Sequence, residues 1–260
     1  MTALDELIES ALPEADPEVS VGFLTQQGVR HASRQRSYRN HVLSLRVGAS
    51  VGSCAVEPGE VGEDVVLDCV GEPVRKLLRH PLPAVRIAAL DAHLQELRPH
   101  HENAEAVHLR RGDSLRKSLH RSQHVVDLLP PGVRRVLVIG VVNSLLQRLR
   151  ERGIDYVACD RKGGSTEWDE QVITDAEPAL EGCDAVLASG MVLGSSTFQT
   201  VLDHARTTAT PLVFFAQTGS GILPRFLGDG VTAVSAEPYP FFWLDGGPSV
   251  LYRYSEVAAS

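Results

Sequence analysis

Two turns hold most of the side chains in this chain that could do chemistry. Ser189-Gly190 closes an apolar run, and Gly194-Ser195-Ser196-Thr197 opens an amphipathic one. Further on, Gln217-Thr218-Gly219-Ser220-Gly221 follows another apolar run. Hydroxyls and free backbone N–H groups at a helix start can donate to carboxylate or phosphate oxygens. The same residues can act as N-caps with no ligand, because Ser and Thr satisfy the orphan donors of any helix. Two such turns after neighbouring strands would face each other across one edge of a sheet, and that pairing points to a small polar or anionic pocket. Its expected donors are Ser189, Gly190, Ser195, Ser196 and Thr197 from one turn and Thr218, Gly219 and Ser220 from the other.

A third turn, Gly140-Val141-Val142-Asn143-Ser144, follows the run VLVIG. A dinucleotide site needs G-x-G-x-x-G to bring backbone against a pyrophosphate. Here one glycine is followed by two β-branched residues, a weak match to an NAD fingerprint. Gly140 and Asn143 stay as candidate contacts. The next apolar run ends in Cys159-Asp160-Arg161. A ribose-binding carboxylate would sit about 20 residues after the glycine, so Asp160 is a candidate for holding a hydroxyl or amine, with Arg161 beside it. A charged pair opening a surface loop accounts for both equally well.

Ten histidines invite a metal reading. His120 and His124 are four apart in a helical stretch and could face one way, as two metal ligands must. Without a third ligand at defined spacing, a solvated face is the simpler account. His31 and His41 fall in N-terminal strands, as sheet-surface residues or with reach into a cleft between domains. No Ser-His-Asp motif, Walker loop, HExxH or H-x-E…PCxxC pattern occurs, so nothing specifies a nucleophile.

The elements that would position these residues follow from periodicity. Residues 3–12 space Leu4, Leu7, Ile8, Ala11 and Leu12 as a helix stopped by Pro13. VSVGFLTQ (19–26), a Gln27-Gly28 turn, VRHASRQ and HVLSLRVG (41–48) read as antiparallel strands, with SCAVEPG and VVLDCV as further extended pieces. Helices are expected over 72–80 and 83–97, a polar linker over 98–112, and a helix over 113–129 with Asp113 as N-cap. From Val133 apolar strands alternate with amphipathic helices, the pattern of a parallel sheet covered on both faces. The aromatic stretch EPYPFFWLDGG (237–247) suits a plug between domains; a ligand wall or a homodimer face are the other uses of such a cluster.

At 260 residues, 43% hydrophobic and 22% charged, the chain has the composition of a globular protein of one large or two modest domains. A net charge of −8 argues against nucleic acid as a partner, which needs a basic face. The four cysteines lack CxxC spacing, the acidic amphipathic N-terminus is no secretory signal, and no apolar run approaches a membrane span. The expectation is a cytoplasmic protein with reduced thiols and a small-molecule partner.

The stretches GEPVRKLL, AVRIAALDAHL, VLVIGVVNSLLQRLR, DAVLASGMVLGSSTFQTVLDHA and PLVFFAQTGSGILPRFLGDGV resemble, in order and character, the family described as "putative heavy-metal chelation". The strand-loop-helix A-S-G-x-x-L-x-x-S-T is similar to that family's T-G-[ST]-T-L-x-N-x-T. The family's asparagine position is taken by Gly194 or Ser195, and its Gly-Pro by Ala216-Gln217. The resemblance implies an enolase N-terminal-like domain followed by a Rossmann-like one. The expected architecture is therefore α/β: a C-terminal Rossmann-like doubly wound parallel sheet (113–260) after a smaller α+β domain (1–98) and a linker (99–112). The expected function is binding of an anionic or metal-chelating metabolite in metallophore or specialised metabolism. The alternative is a transferase using S-adenosylmethionine, without the glycine-rich first loop typical of methyltransferases. The cofactor expected is S-adenosylmethionine or a metal ion, and the sequence leaves open whether the protein is an enzyme.

Overall fold

The computed structural model describes every residue except 14, 32–33, 35–36 and 256–260. Helix α1 (Ala3–Ser10) starts with a capping box, Thr2 and Asp5 each accepting from the other's backbone N–H. Strands β1 (Val19–Arg30), β2 (Ser37–Val47) and β3 (Ser50–Val56) form an antiparallel sheet in that order. The expected turn at Gln27-Gly28 is absent. Both residues pair across to Asn40 and Arg39, so β1 continues to Arg30; the expected strand VRHASRQ is partly β1 and partly outside the described residues.

A second correction concerns VVLDCV, which lies in a helix, α2 (Glu63–Cys69), rather than an extended piece. Val66 and Cys69 face inward while Leu67 is 71% exposed, and so short an apolar run does not reveal its period. Helix α3 (Val74–Leu77) is shorter than the expected 72–80, because Pro73 is its cap rather than part of its first turn. Helix α4 (Pro83–Leu97) begins at a proline in its first turn, as its sequence predicts. Strand β3 lies directly on α4 at Gly52. A Cβ there would come within 2.0 Å of the Ala92 nitrogen, so only glycine permits that approach.

Residues 98–112, expected as a linker, contain helix α5 (His100–Asn103) and strand β4 (Glu105–Leu109). The second half continues with α6 (Ser114–Val126), β5 (Arg135–Ile139), α7 (Asn143–Glu151), β6 (Asp155–Cys159), α8 (Glu177–Leu180), β7 (Ala185–Ser189), α9 (Thr197–Thr208), β8 (Leu212–Ala216), β9 (Ala233–Ala236) and β10 (Ser249–Ser255). Asp113 caps α6 as expected, accepting from the Arg116 N–H at 2.8 Å. The sheet order is β4-β10-β9-β8-β7-β5-β6. Strands β5 to β9 are parallel and doubly wound; β10 pairs antiparallel with β9 and β4 antiparallel with β10. From β5 the chain goes to β6 on one side and then returns to β7 on the other. That reversal opens a crevice at the carboxyl ends of β5 and β7, where ligands of such sheets bind.

The two halves share one core. Leu43 and Leu45 of β2 and Ile87 and Leu90 of α4 lie in the same buried cluster as Phe198 of α9, Phe214 of β8 and Ile222. Asp91 of α4 is fully buried within it. Its Oδ2 accepts from the Ser53 N–H of β3 at 2.8 Å, and its Oδ1 from the Gly221 N–H, in the turn after β8, at 2.7 Å. The Gly219 N–H donates in turn to the Ser53 carbonyl at 3.0 Å. At the far end of the sheet, buried Lys117 of α6 donates from Nζ to the carbonyls of Asp245 and Gly247 and to the Ser249 hydroxyl. That fixes the aromatic stretch, where Tyr239 meets Phe23 of β1 edge-on at 5.1 Å and the Trp243 indole donates to the Gln27 side chain at 3.1 Å. The aromatics therefore plug the joint between the halves. Among the described residues no helix is long and apolar enough to cross a membrane.

Burial pushes the Asp91 carboxyl up to about 7, against the lowering effect of the backbone donors. In the unfolded chain that proton leaves near the ordinary 3.8. Between the two values the folded state binds more protons, so the stability contributed by this group falls as pH rises from about 4 to about 7 and is level above that. Asp91→Ala strands two buried N–H donors and is expected to cost about 3 kcal/mol in urea denaturation. Asp91→Asn should flatten the stability–pH profile across that window, and an unaltered profile would contradict this role.

Candidate functional site

A cavity of about 720 Å³ lies between the three-stranded sheet and the crevice of the larger one. Its roof comes from β2 and β3, with Tyr38, Arg39, Asn40, Val42 and Cys54 among the lining. Its floor is built from the turns after β5, β6, β7 and β8. These turns touch. A Cβ on Gly190 would fall 2.1 Å from the Thr218 carbonyl oxygen, which forces glycine at that crossing.

Most of the residues expected from the sequence line this one space: Gly140, Asp160, Arg161 and Ser189, then Ser195, Ser196, Thr197 and Thr218. Their hydroxyls differ in availability. Ser189 accepts from the Met191 N–H, and Ser195 donates to the Val192 carbonyl at 3.0 Å. Among the described residues, the hydroxyls of Ser196, Thr197 and Thr218 have no hydrogen-bond partner, and Ser196 makes no side-chain cap of α9. At the start of α9 the Phe198 N–H donates to the Ser195 carbonyl at 3.4 Å and the Thr200 N–H to the Ser196 carbonyl at 3.1 Å, while Ser196 and Thr197 line the cavity.

The other expected residues support the site from behind. Asn143 is buried at the start of α7; its N–H donates to the Tyr38 hydroxyl at 2.9 Å and its Oδ1 accepts from the Glu167 N–H. Gly190 packs on Thr218, and Gly219 is tied to Ser53. Ser220 is fully buried and its hydroxyl has no partner, so it does not complete the cradle that the sequence suggested. Asp160 shapes its turn, with Oδ2 accepting from the Val141 N–H at 3.3 Å and Oδ1 from the Lys162 N–H at 3.0 Å.

Three contributors were not legible as site residues. Tyr38 crosses from the roof to cap α7, an interaction that no local pattern announces. His31, read only as having reach into a cleft, lines the cavity; its Nδ1 lies 2.9 Å from the Ser114 hydroxyl, and burial lowers its pKa. Beside it Arg34 pairs with Glu167 and Gln147, so the end of the roof is tied down to the second half. The third is Arg121 of α6, 4% exposed, which lines the cavity while its Nε donates to the buried Glu237 at 2.7 Å. Burial raises the Glu237 pKa. In the sequence Arg121 is one basic residue on an amphipathic helix, and only the pairing with a residue after β9 distinguishes it.

His41 is not part of the lining. The expected histidine pair does meet: His120 and His124 place their Nε2 atoms 3.2 Å apart on α6, and burial lowers the pKa of both. Among the described residues no group of three His, Cys, Asp or Glu side chains is arranged to hold a metal ion. Cys54 and Cys159 line the cavity, and burial pushes both thiols up, Cys159 to about 11, so both are neutral at pH 7.

The comparisons with known proteins fall on this architecture. Residues 126–236 match the model of the family DUF364, described as "Putative heavy-metal chelation", the family that the sequence motifs resemble. A DUF364 protein of unknown function from Desulfitobacterium hafniense superposes with a TM-score of 0.58 at 16% identity, over 90% of this chain and 84% of that one. A second, from Pyrococcus horikoshii, gives 0.55 at 18% identity, over 89% and 85%. At such identity these two likenesses speak for the fold alone. A comparison with curated proteins finds no match.

Tyr38→Phe removes the hydroxyl that caps α7 across the cavity. It should cost about 1 kcal/mol in chemical denaturation, with the far-ultraviolet circular dichroism unchanged. No loss would mean that water replaces the cap.

Proposed function

We propose, from the premise that residues 126–236 form a DUF364 domain, that the chain binds a small anionic or metal-chelating metabolite in the cleft between its two sheets. The observation that carries this reading is the set of unpartnered hydroxyls of Ser196, Thr197 and Thr218 around one cavity at the switch point of a doubly wound sheet. A volume of about 720 Å³ is in the range of sites that enclose a metabolite of drug-like size. The start of α9, where Ser196 and Thr197 line the cavity, adds the positive end of the helix dipole, which suits a carboxylate or phosphate. The metal-chelating part of the reading draws on the family description.

A transferase reading has less behind it. The two oxygens of Asp160 already accept backbone N–H groups, and the comparisons give S-adenosylmethionine no support.

Isothermal titration with citrate, the zinc complex of citrate and ADP tests the proposal. At least one should bind saturably at one site per chain. Ser196→Ala combined with Thr218→Ala should weaken it about tenfold, the cost of losing one or two hydrogen bonds to a charged group. Equal affinity in the double variant would refute the hydroxyl cradle.

A further inference from the structure

We propose that Arg121 is the anion contact of the cleft and selects a carboxylate carried on a flat apolar ring. The inference rests on the binding role proposed above for the cleft and names the ligand chemistry and the residue that reads it.

Arg121 is built as a recognition group. Glu237, whose side chain is wholly buried, takes the Nε–H at 2.7 Å and so sets the rotation of the guanidinium. The Phe215 ring lies beneath it, 4.7 Å from its central carbon, and Phe242 stands 5.9 Å away on another side. With Nε engaged, the two terminal nitrogens form the remaining fork. No described residue accepts from either, and neither is sealed from the cavity that Arg121 lines. A guanidinium fork held in this way matches the two oxygens of a carboxylate, where a lysine would act as a point charge.

Stability is a weak account of this arrangement. Replacing a buried ion pair by packed apolar residues is often neutral or stabilising, so a pair of this kind is weak support for a fold. The Ser235 hydroxyl also reaches Glu237, at 3.4 Å, and the Gln217 side chain lies against it, so the carboxylate is held from more than one side. A fixed, desolvated positive charge facing the cavity is what the pair supplies. The neighbours describe the rest of the ligand. Phe215, stacked under Arg121, lines the cavity, and Trp243, Ile139 and Val142 are further apolar parts of its lining. Aromatic walls next to a guanidinium fork fit an aromatic acid better than a sugar phosphate. Glu237 is then a positioning residue, acting on the ligand only through Arg121.

Benzoate and its uncharged isostere benzamide are the probes, titrated calorimetrically and by the fluorescence of Trp243 in a Trp168→Phe background. Wild-type protein should prefer benzoate by about tenfold or more, the value of a charge-assisted pair. Arg121→Met should keep its affinity for benzamide and bring the preference down to about one, a change in selectivity that a purely structural role would not produce. If the methionine variant does not fold, Arg121→Lys keeps the charge opposite Glu237 and should still lower the preference several-fold. A preference unchanged in either folded variant, or no preference in the wild type, overturns the assignment. If Ser196→Ala with Thr218→Ala abolishes binding of both probes while Arg121→Met leaves the preference intact, the cleft remains a binding site and only the role of Arg121 is lost.

Discussion

Asp91 is the constraint on which the joint depends. One carboxylate accepts a backbone N–H from β3 of the small sheet and another from the turn after β8 of the large one. It does so at zero exposure, where an unmet donor costs more than a made bond gains. The position of the roof over the floor is therefore fixed by hydrogen-bond satisfaction as well as by apolar contact, which alone would tolerate sliding. Gly52 sets the other coordinate by letting β3 rest on the backbone of α4. With distance and register both fixed, the hollow between the sheets has a defined shape.

That shape divides the work between the two halves. The doubly wound sheet supplies turns, helix starts and hydroxyls at its switch point, as such sheets do in general. The small sheet supplies little chemistry of its own. It closes the space, caps α7 through Tyr38 and holds its edge down through Arg34. The aromatic stretch after β9 seals one flank, and the buried ammonium of Lys117 keeps that stretch in place.

Much of this was legible in the sequence where the signal is local. Continuous apolar runs marked β5, β7 and β8, and Asp113 and Pro83 marked helix starts. The convergence of Ser196 and Thr218 followed from their being placed after adjacent strands. The failures share a cause, which is that the information lies in a distant partner. β4 is a short edge strand with three of its five residues exposed, and β10 lies between it and β9, so both are defined by partners far away in the chain. α2 was too short for its period to show. Asp91 reads as an ordinary polar residue in an alanine-rich helix until the turn at Gly221 arrives beside it, and Arg121 has no mark of its own without Glu237.

The strand order has a consequence for how the chain acquires its structure. β10 sits between β4 and β9, so β4 stays unpaired until residues 249–255 exist. During synthesis the roof and the inner parallel strands can assemble early, but β4 joins the sheet only through residues 249–255. Until then β4 and the free side of β9 both offer open ladder edges, which are open to wrong partners.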